Sequence, residues 1–217
     1  MGLSTLWTAA LRPRRSMEPP VPPPHPPLPR LPLAYPLEPA PRIALFGPPL
    51  SSGGPLRHFS SLDWLEIERF QPEAIAAPWP VFQEILRAPH RLTTLRRPLL
   101  VLSDLSSGLL DAAGRDALWN AFGLPVFEQW RGWDHELLAF ECEAHDGLHV
   151  HMGQCSFDFE HGLLLVSSFA GLLTQTHRFP TGYSGRIITS RCPCGSPLPR
   201  LVDMRSESDC CPATMVL

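Results

Sequence analysis

Apolar positions along the chain change their period near residue 130. Upstream, Trp64, Ile67 and Phe70 in DWLEIERF, and Val81, Phe82, Ile85 and Leu86 in residues 80–88, recur at helical spacing. Residues 110–122 form a further amphipathic stretch closed by Gly123, which suits the left-handed conformation that ends a helix. Between these stretches lie short continuous apolar runs: Ala74–Ala77 (AIAA), residues 98–103 (PLLVLS) and residues 124–130 (LPVFEQW). Such runs suit strands covered on both faces. Strand, helix and strand with short connections predict a βαβ crossover and a parallel sheet. Downstream the period falls to two: residues 137–142, 149–159, 163–169 and 184–190 read as strands separated by glycine turns.

Composition alters this picture at the N-terminal end. Of 27 prolines in 217 residues, 15 fall within the first 49. Proline fixes φ and removes a donor, so residues 17–41 predict polyproline II or disorder rather than helix or sheet. Their PxxP spacing leaves a proline-rich adaptor as one open reading. Ser51-Ser52-Gly53-Gly54 lacks the lysine of a phosphate-binding loop and reads as a linker. The apolar run of residues 3–11 precedes Arg12, Arg14 and Arg15, the reverse of an export signal, and a start at Met17 would omit it. No run of 18 apolar residues predicts a membrane span. A net charge of −3 excludes a basic nucleic-acid footprint. The expected location is the cytoplasm, where the six cysteines would be thiols or metal ligands rather than disulfides.

The stretch Phe140-Glu141-Cys142-Glu143-Ala144-His145-Asp146-Gly147-Leu148-His149, followed about 40 residues on by Arg191-Cys192-Pro193-Cys194-Gly195, resembles the phenylacetate–coenzyme A ligase family. Between them, residues 163–168 (LLLVSS) and Arg178-Phe179-Pro180-Thr181-Gly182-Tyr183 stand where that family has a strand ending in Thr-Ser and an R-Y-x-T-G-D segment. The resemblance covers residues 70–203. It implies an α/β fold, part of the large domain of an adenylate-forming enzyme: a parallel βαβ region, then a β-rich region, with no C-terminal lid domain. The expected organisation is a proline-rich disordered arm over residues 1–56, a partial adenylate-forming domain over 57–203 and a flexible tail over 204–217.

The family's chemistry is adenylation of an aryl carboxylate by ATP and Mg²⁺, then transfer to coenzyme A. Against its motifs this chain departs at the nucleotide-binding positions Trp130, Asp134, Arg178 and Tyr183. Trp130 keeps the aromatic of the tyrosine–glycine–x–x–glutamate motif, but Arg131 replaces the glycine and Asp134 the glutamate. Tyr183 replaces the ribose-binding aspartate, and a phenol cannot accept two hydroxyl hydrogen bonds as a carboxylate can. All 18 basic residues are arginine, so the lysine that stabilises the adenylation transition state has no counterpart. The chain therefore reads as non-catalytic alone, with ATP, Mg²⁺ and coenzyme A relevant only if activity is retained. The alternative is a ligase subunit whose partner chain supplies the phosphate loop and lysine. Ser103-Asp104, at the carboxyl end of a parallel strand, and Arg131 nearby are candidates for weak ligand contact. Asp134-His135-Glu136 reads as solvent-facing charge.

The resemblance also implies a structural zinc. Zn²⁺ takes four thiolate or imidazole ligands. Cys192-Pro193-Cys194-Gly195 offers two thiolates from one turn, and Cys142 a third. His149 matches the family motif as the fourth; His145, at Cys-x-x-His spacing, and His151, in phase with His149, remain alternatives. Cys155, Cys210 and Cys211 receive no role.

Overall fold

The computed structural model describes residues 31–34, 36, 39–87, 92–169 and 176–207. Its elements run β1 (Leu31–Pro32), β2 (Ile43–Phe46), β3 (Leu50–Ser51), β4 (Leu56–Phe59), α1 (Trp64–Phe70), β5 (Ala74–Ala77), α2 (Trp79–Arg87), β6 (Leu99–Asp104), α3 (Ala112–Phe122) and β7 (Val126–Arg131). There follow β8 (Leu137–Glu141), β9 (Leu148–Val150), β10 (Cys155–Glu160), β11 (Leu163–Ser168), β12 (Thr176–Pro180), β13 (Tyr183–Ile188) and β14 (Arg200–Ser206). Nine strands form one mixed sheet in the order β13-β14-β9-β8-β7-β6-β5-β2-β4. From β4 to β7 every pairing is parallel, and from β7 to β13 every pairing is antiparallel.

The parallel half has the runs expected of strands covered on both faces. Ile43–Phe46, Ala74–Ala77 and Val126–Arg131 are buried throughout. One face carries Ala44, Ile75, Val101 and Val126 against the helices, with Ile67, Phe82 and Leu118 as their buried contributions. The opposite face, with Leu45, Ala76, Leu100 and Phe127, packs on Leu33 and Leu50. Helix ends follow their residues. The Asp63 and Asp111 carboxylates accept the Glu66 and Gly114 N–H groups as N-caps, and Gly123 (φ 62°) donates to the Trp119 carbonyl. The antiparallel half packs on the separate three-stranded sheet β10-β11-β12 through Trp130, Leu138, Phe157, Leu164 and Val166. No described helix is long and apolar enough to cross a membrane.

The structure corrects several expectations. Residues 43–56 belong to the fold, since β2 lies inside the sheet and β4 forms its edge; residues 1–30 of the expected arm lie outside the described residues. Residues 204–206, expected in a flexible tail, continue β14 between β9 and β13. The strand read over 149–159 is two strands broken at Met152-Gly153, where Gly153 has φ 88°. Strand β12 was not anticipated: its polar start and Pro180 gave no two-residue period.

Glu128 is the ionisable group set into the helix-covered layer of β7. Its Oε1 accepts Ser103 Oγ and the Leu110 N–H; Arg115 stands 3.5 Å from its carboxylate, and Glu141 lies beside it on β8. Burial pushes its pKa up to about 7, against the opposing pull of the Ser103 and Leu110 donors and Arg115. The native state thus binds more protons than the unfolded chain between about pH 4.5 and 7, and this group's contribution to stability falls as pH rises through that window. The limiting slope is about 1.4 kcal/mol per pH unit. Urea midpoints at pH 5 and 7.5 should differ less in Glu128→Gln, which keeps the acceptor oxygen, than in the wild type. Equal differences in the two proteins would rule out Glu128 as the source.

Candidate metal centre

Three segments converge at the β9–β14 junction. Cys142 follows β8, His149 is the middle residue of β9, and Cys192 and Cys194 occupy the turn between β13 and β14. That turn is closed by Gly195 N–H to Cys192 O at 2.8 Å and Cys192 N–H to Ser196 O at 3.0 Å, with Gly195 at φ 88°. The Cys142 loop is closed by His145 N–H to Cys142 O at 3.0 Å. Gly147 (φ 86°) then lets the chain pass beneath β14, because a Cβ there would meet the Leu201 carbonyl oxygen at 2.4 Å.

The ligand atoms of Cys142, His149, Cys192 and Cys194 all lie within 4.8 Å of one another. Cys142 Sγ to Cys192 Sγ is 3.7 Å, and Cys194 Sγ to His149 Nε2 is 3.4 Å. A disulfide needs about 2.05 Å. Tetrahedral zinc with bonds of about 2.3 Å to sulfur and 2.0–2.1 Å to nitrogen sets its ligand atoms about 3.5–3.8 Å apart. The donor set and its spacing therefore fit a four-coordinate soft divalent ion. Burial lowers the His149 pKa, which favours the neutral imidazole that can bind metal. Burial pushes the Cys142 thiol up to about 12. At Cys192 burial acts in the same direction, but the Cys194 N–H, the neighbouring thiols and Arg200 bring the pKa below its ordinary value.

The geometry separates the three histidines. His145 turns away from the cluster, placing Nδ1 3.0 Å from Glu141 Oε1 and stacking on Phe127. His151 is outside the group of four, as is Cys155, whose Sγ donates to the Leu138 carbonyl. Cys210 and Cys211 lie outside the described residues.

The four nucleotide-site positions fare differently. Trp130 is fully buried, its ring 5.7 Å from those of both Phe157 and Tyr183. The Tyr183 hydroxyl accepts the Leu109 N–H at 2.6 Å, so this phenol is built into the packing against Trp130. Arg178 pairs with Glu160 at 2.9 Å and Asp158 at 3.5 Å on β10. Asp134 sits in the β7–β8 turn, its N–H donating to Glu136. Glu136, expected to face solvent, is 1 % exposed; it accepts Ser168 Oγ and packs over Gly132, where any Cβ would strike its carboxylate. Arg131 is likewise buried and donates to the carbonyls of His135 and Pro32 and to Gln129. Burial lowers its pKa to about 10, with Glu136 opposing. Ser103 is hydrogen-bonded to Glu128, while the Asp104 carboxylate caps Ser106 and Ser107. Both residues, with Arg131 and His135, line a cleft of about 400 Å³ at the carboxyl ends of β2, β5, β6 and β7. Sequence reasoning missed Arg200, the buried register partner of His149, because nothing in its spacing signals that pairing.

No protein-family model matches the chain, and no curated protein matches it. Solved structures do. An open conformation of 2-hydroxyisobutyryl-CoA ligase in complex with 2-HIB-AMP and CoA is 11% identical, with a TM-score of 0.54 over 74% of this chain and 43% of that one. The same ligase in the thioesterification state gives 11%, 0.54, 74% and 42%. In its postadenylation state with 2-HIB-AMP it gives 14%, 0.51, 67% and 36%. The chain thus spans less than half the length of these enzymes, and at such identity the likeness is one of fold. The mixed α/β sheet described here is the fold of part of the large domain of adenylate-forming acyl-CoA ligases.

Proposed function

We propose that this chain is a degenerate member of the adenylate-forming ligases, closest in motif to the phenylacetate–coenzyme A ligases, that serves as a zinc-stapled fold and does not adenylate a carboxylate by itself. The observation that carries the zinc reading is the Cys142, His149, Cys192 and Cys194 cluster: its ligand atoms all lie within 4.8 Å of one another, and two of the spacings, 3.7 and 3.4 Å, are close to the edges of a zinc tetrahedron. A closed Cys₃His set leaves no position for substrate, so the ion's role is to tie two loops together. The catalytic half of the reading rests on the altered nucleotide positions. Tyr183 is packed on Trp130 and bonded to Leu109, and Arg178 is engaged by the β10 carboxylates.

A second reading, a ligase subunit completed by a partner chain, is favoured by the cleft at the carboxyl ends of the parallel strands, the position where open α/β sheets bind ligands. The partner would supply the phosphate loop and the lysine, and ATP, Mg²⁺ and coenzyme A would then be its cofactors.

Purified protein should hold one zinc per chain by elemental analysis. Cys192→Ser should release it and lower the unfolding midpoint markedly, since binding energy at a structural zinc is folding energy. Stoichiometric zinc persisting in Cys192→Ser/Cys194→Ser would place the ion elsewhere.

Aryl-acid-dependent pyrophosphate exchange by the isolated chain should stay at background. Loss of one transition-state donor typically costs ~10²–10³ in rate, and here the lysine and the ribose aspartate are both missing from the sequence. Tyr183→Asp alone should not restore exchange. Robust exchange by the wild-type chain with phenylacetate would overturn the non-catalytic reading.

A further inference from the structure

Arg200 sits at the joint between the two cysteine-bearing loops. It is 3 % exposed, and its partner across the β9–β14 ladder is His149. Its Nη1 donates to the Asp146 carbonyl at 3.1 Å and to the Asp146 carboxylate, and Nη2 reaches the Ser190 carbonyl at 3.5 Å. Asp146 belongs to the loop between Cys142 and His149, and Ser190 stands two residues before Cys192. The Nε is buried with no hydrogen-bond partner, and Cys192 is near enough for the guanidinium charge to act on its thiol. A cation held away from water carries a desolvation cost unless an opposite charge offsets it. The Asp146 side chain is 52% exposed, so water screens much of what it offers.

Three neutral thiols would leave this cation without a buried counter-charge. Three thiolates and a neutral imidazole around a divalent ion carry a net charge of −1. Resting on the metal reading above, we propose that Arg200 is the counter-ion of the metal centre: it neutralises the single net negative charge of a divalent Cys₃His complex while fixing the two ligand-bearing loops against each other. Arg200 is thus a positioning and charge-balancing residue, not a ligand.

The test uses the full-length metal-loaded chain and its Arg200→Met, Arg200→Lys and Asp146→Asn variants. Zinc affinity is read by competition with a chromogenic chelator, and the thiolates are read by the charge-transfer band of the Co²⁺-substituted protein. Arg200→Met should lose about 10–100-fold in affinity, the usual effect of removing a group that supports metal ligands. Its charge-transfer band should move to lower energy, because thiolates freed of a nearby positive charge give up electrons more readily. Arg200→Lys keeps the charge and should recover most of both quantities. Asp146→Asn removes the exposed acid but leaves the cation, so it should bind zinc as tightly as the wild type, and it carries the test if Arg200→Met fails to fold. Unchanged affinity in a folded Arg200→Met, or loss in Arg200→Lys and Asp146→Asn with an unmoved band, would reduce Arg200 to a loop clamp and overturn the counter-ion role. A wild-type chain that binds no zinc would instead remove the metal reading itself, and this proposal with it.

Discussion

Between β9 and β14 the ladder is short, with Arg200 opposite His149 and Leu201 opposite Leu148, and the Cys/His cluster hangs on this junction. It brings Cys142 within 3.7 Å of Cys192, 50 residues away in sequence. Closing so long a loop carries an entropic cost that two ladder positions offset poorly by themselves. Burial does more: Leu148 and Leu201 lie in the cluster shared with the three-stranded sheet. An ion bound by both loops would add a cross-link at the point where pairing is thinnest. Gly147 is part of the same device, because only a residue without a Cβ lets the loop lie under the Leu201 carbonyl.

Strand β7 joins the two halves of the sheet. It pairs in parallel with β6 and antiparallel with β8, and every residue along it is buried. Yet it carries Glu128, Gln129 and Arg131, each buried. Their partners are other parts of the fold: Ser103, Leu110 N–H and Arg115 for Glu128, and the carbonyls of Pro32 and His135 for Arg131. Gln129 likewise donates to the Ala34 carbonyl. These bonds tie the segment around residues 32–34 to the sheet face opposite the helices. They also explain why Arg131, at a position that could have met a ligand, is engaged by the protein's own backbone.

Trp130 and Tyr183 are engaged in packing, and Arg178 in surface ion pairing. Trp130 and Tyr183 meet edge to face, an arrangement that adds to the area each buries.

The sequence by itself determined the helices and the parallel strands β5, β6 and β7, since each rests on local periodicity, and the set of metal-ligand candidates followed from a motif resemblance. Gly123 marks a helix end through a short-range hydrogen bond, so its role was legible without a fold, whereas the N-cap roles of Asp63 and Asp111 came from the structure. Strand β2 was hidden by surrounding prolines, and β14 by its alternating charges, because both become strands only through neighbours distant in sequence. The same reason left His145 and His149 open as the fourth candidate ligand. Only the tertiary structure turned His145 towards Glu141 and set His149 beside Cys194. It alone buried Glu136 and Arg200, since whether a charge meets water or a partner is decided by which chain segments fold over it.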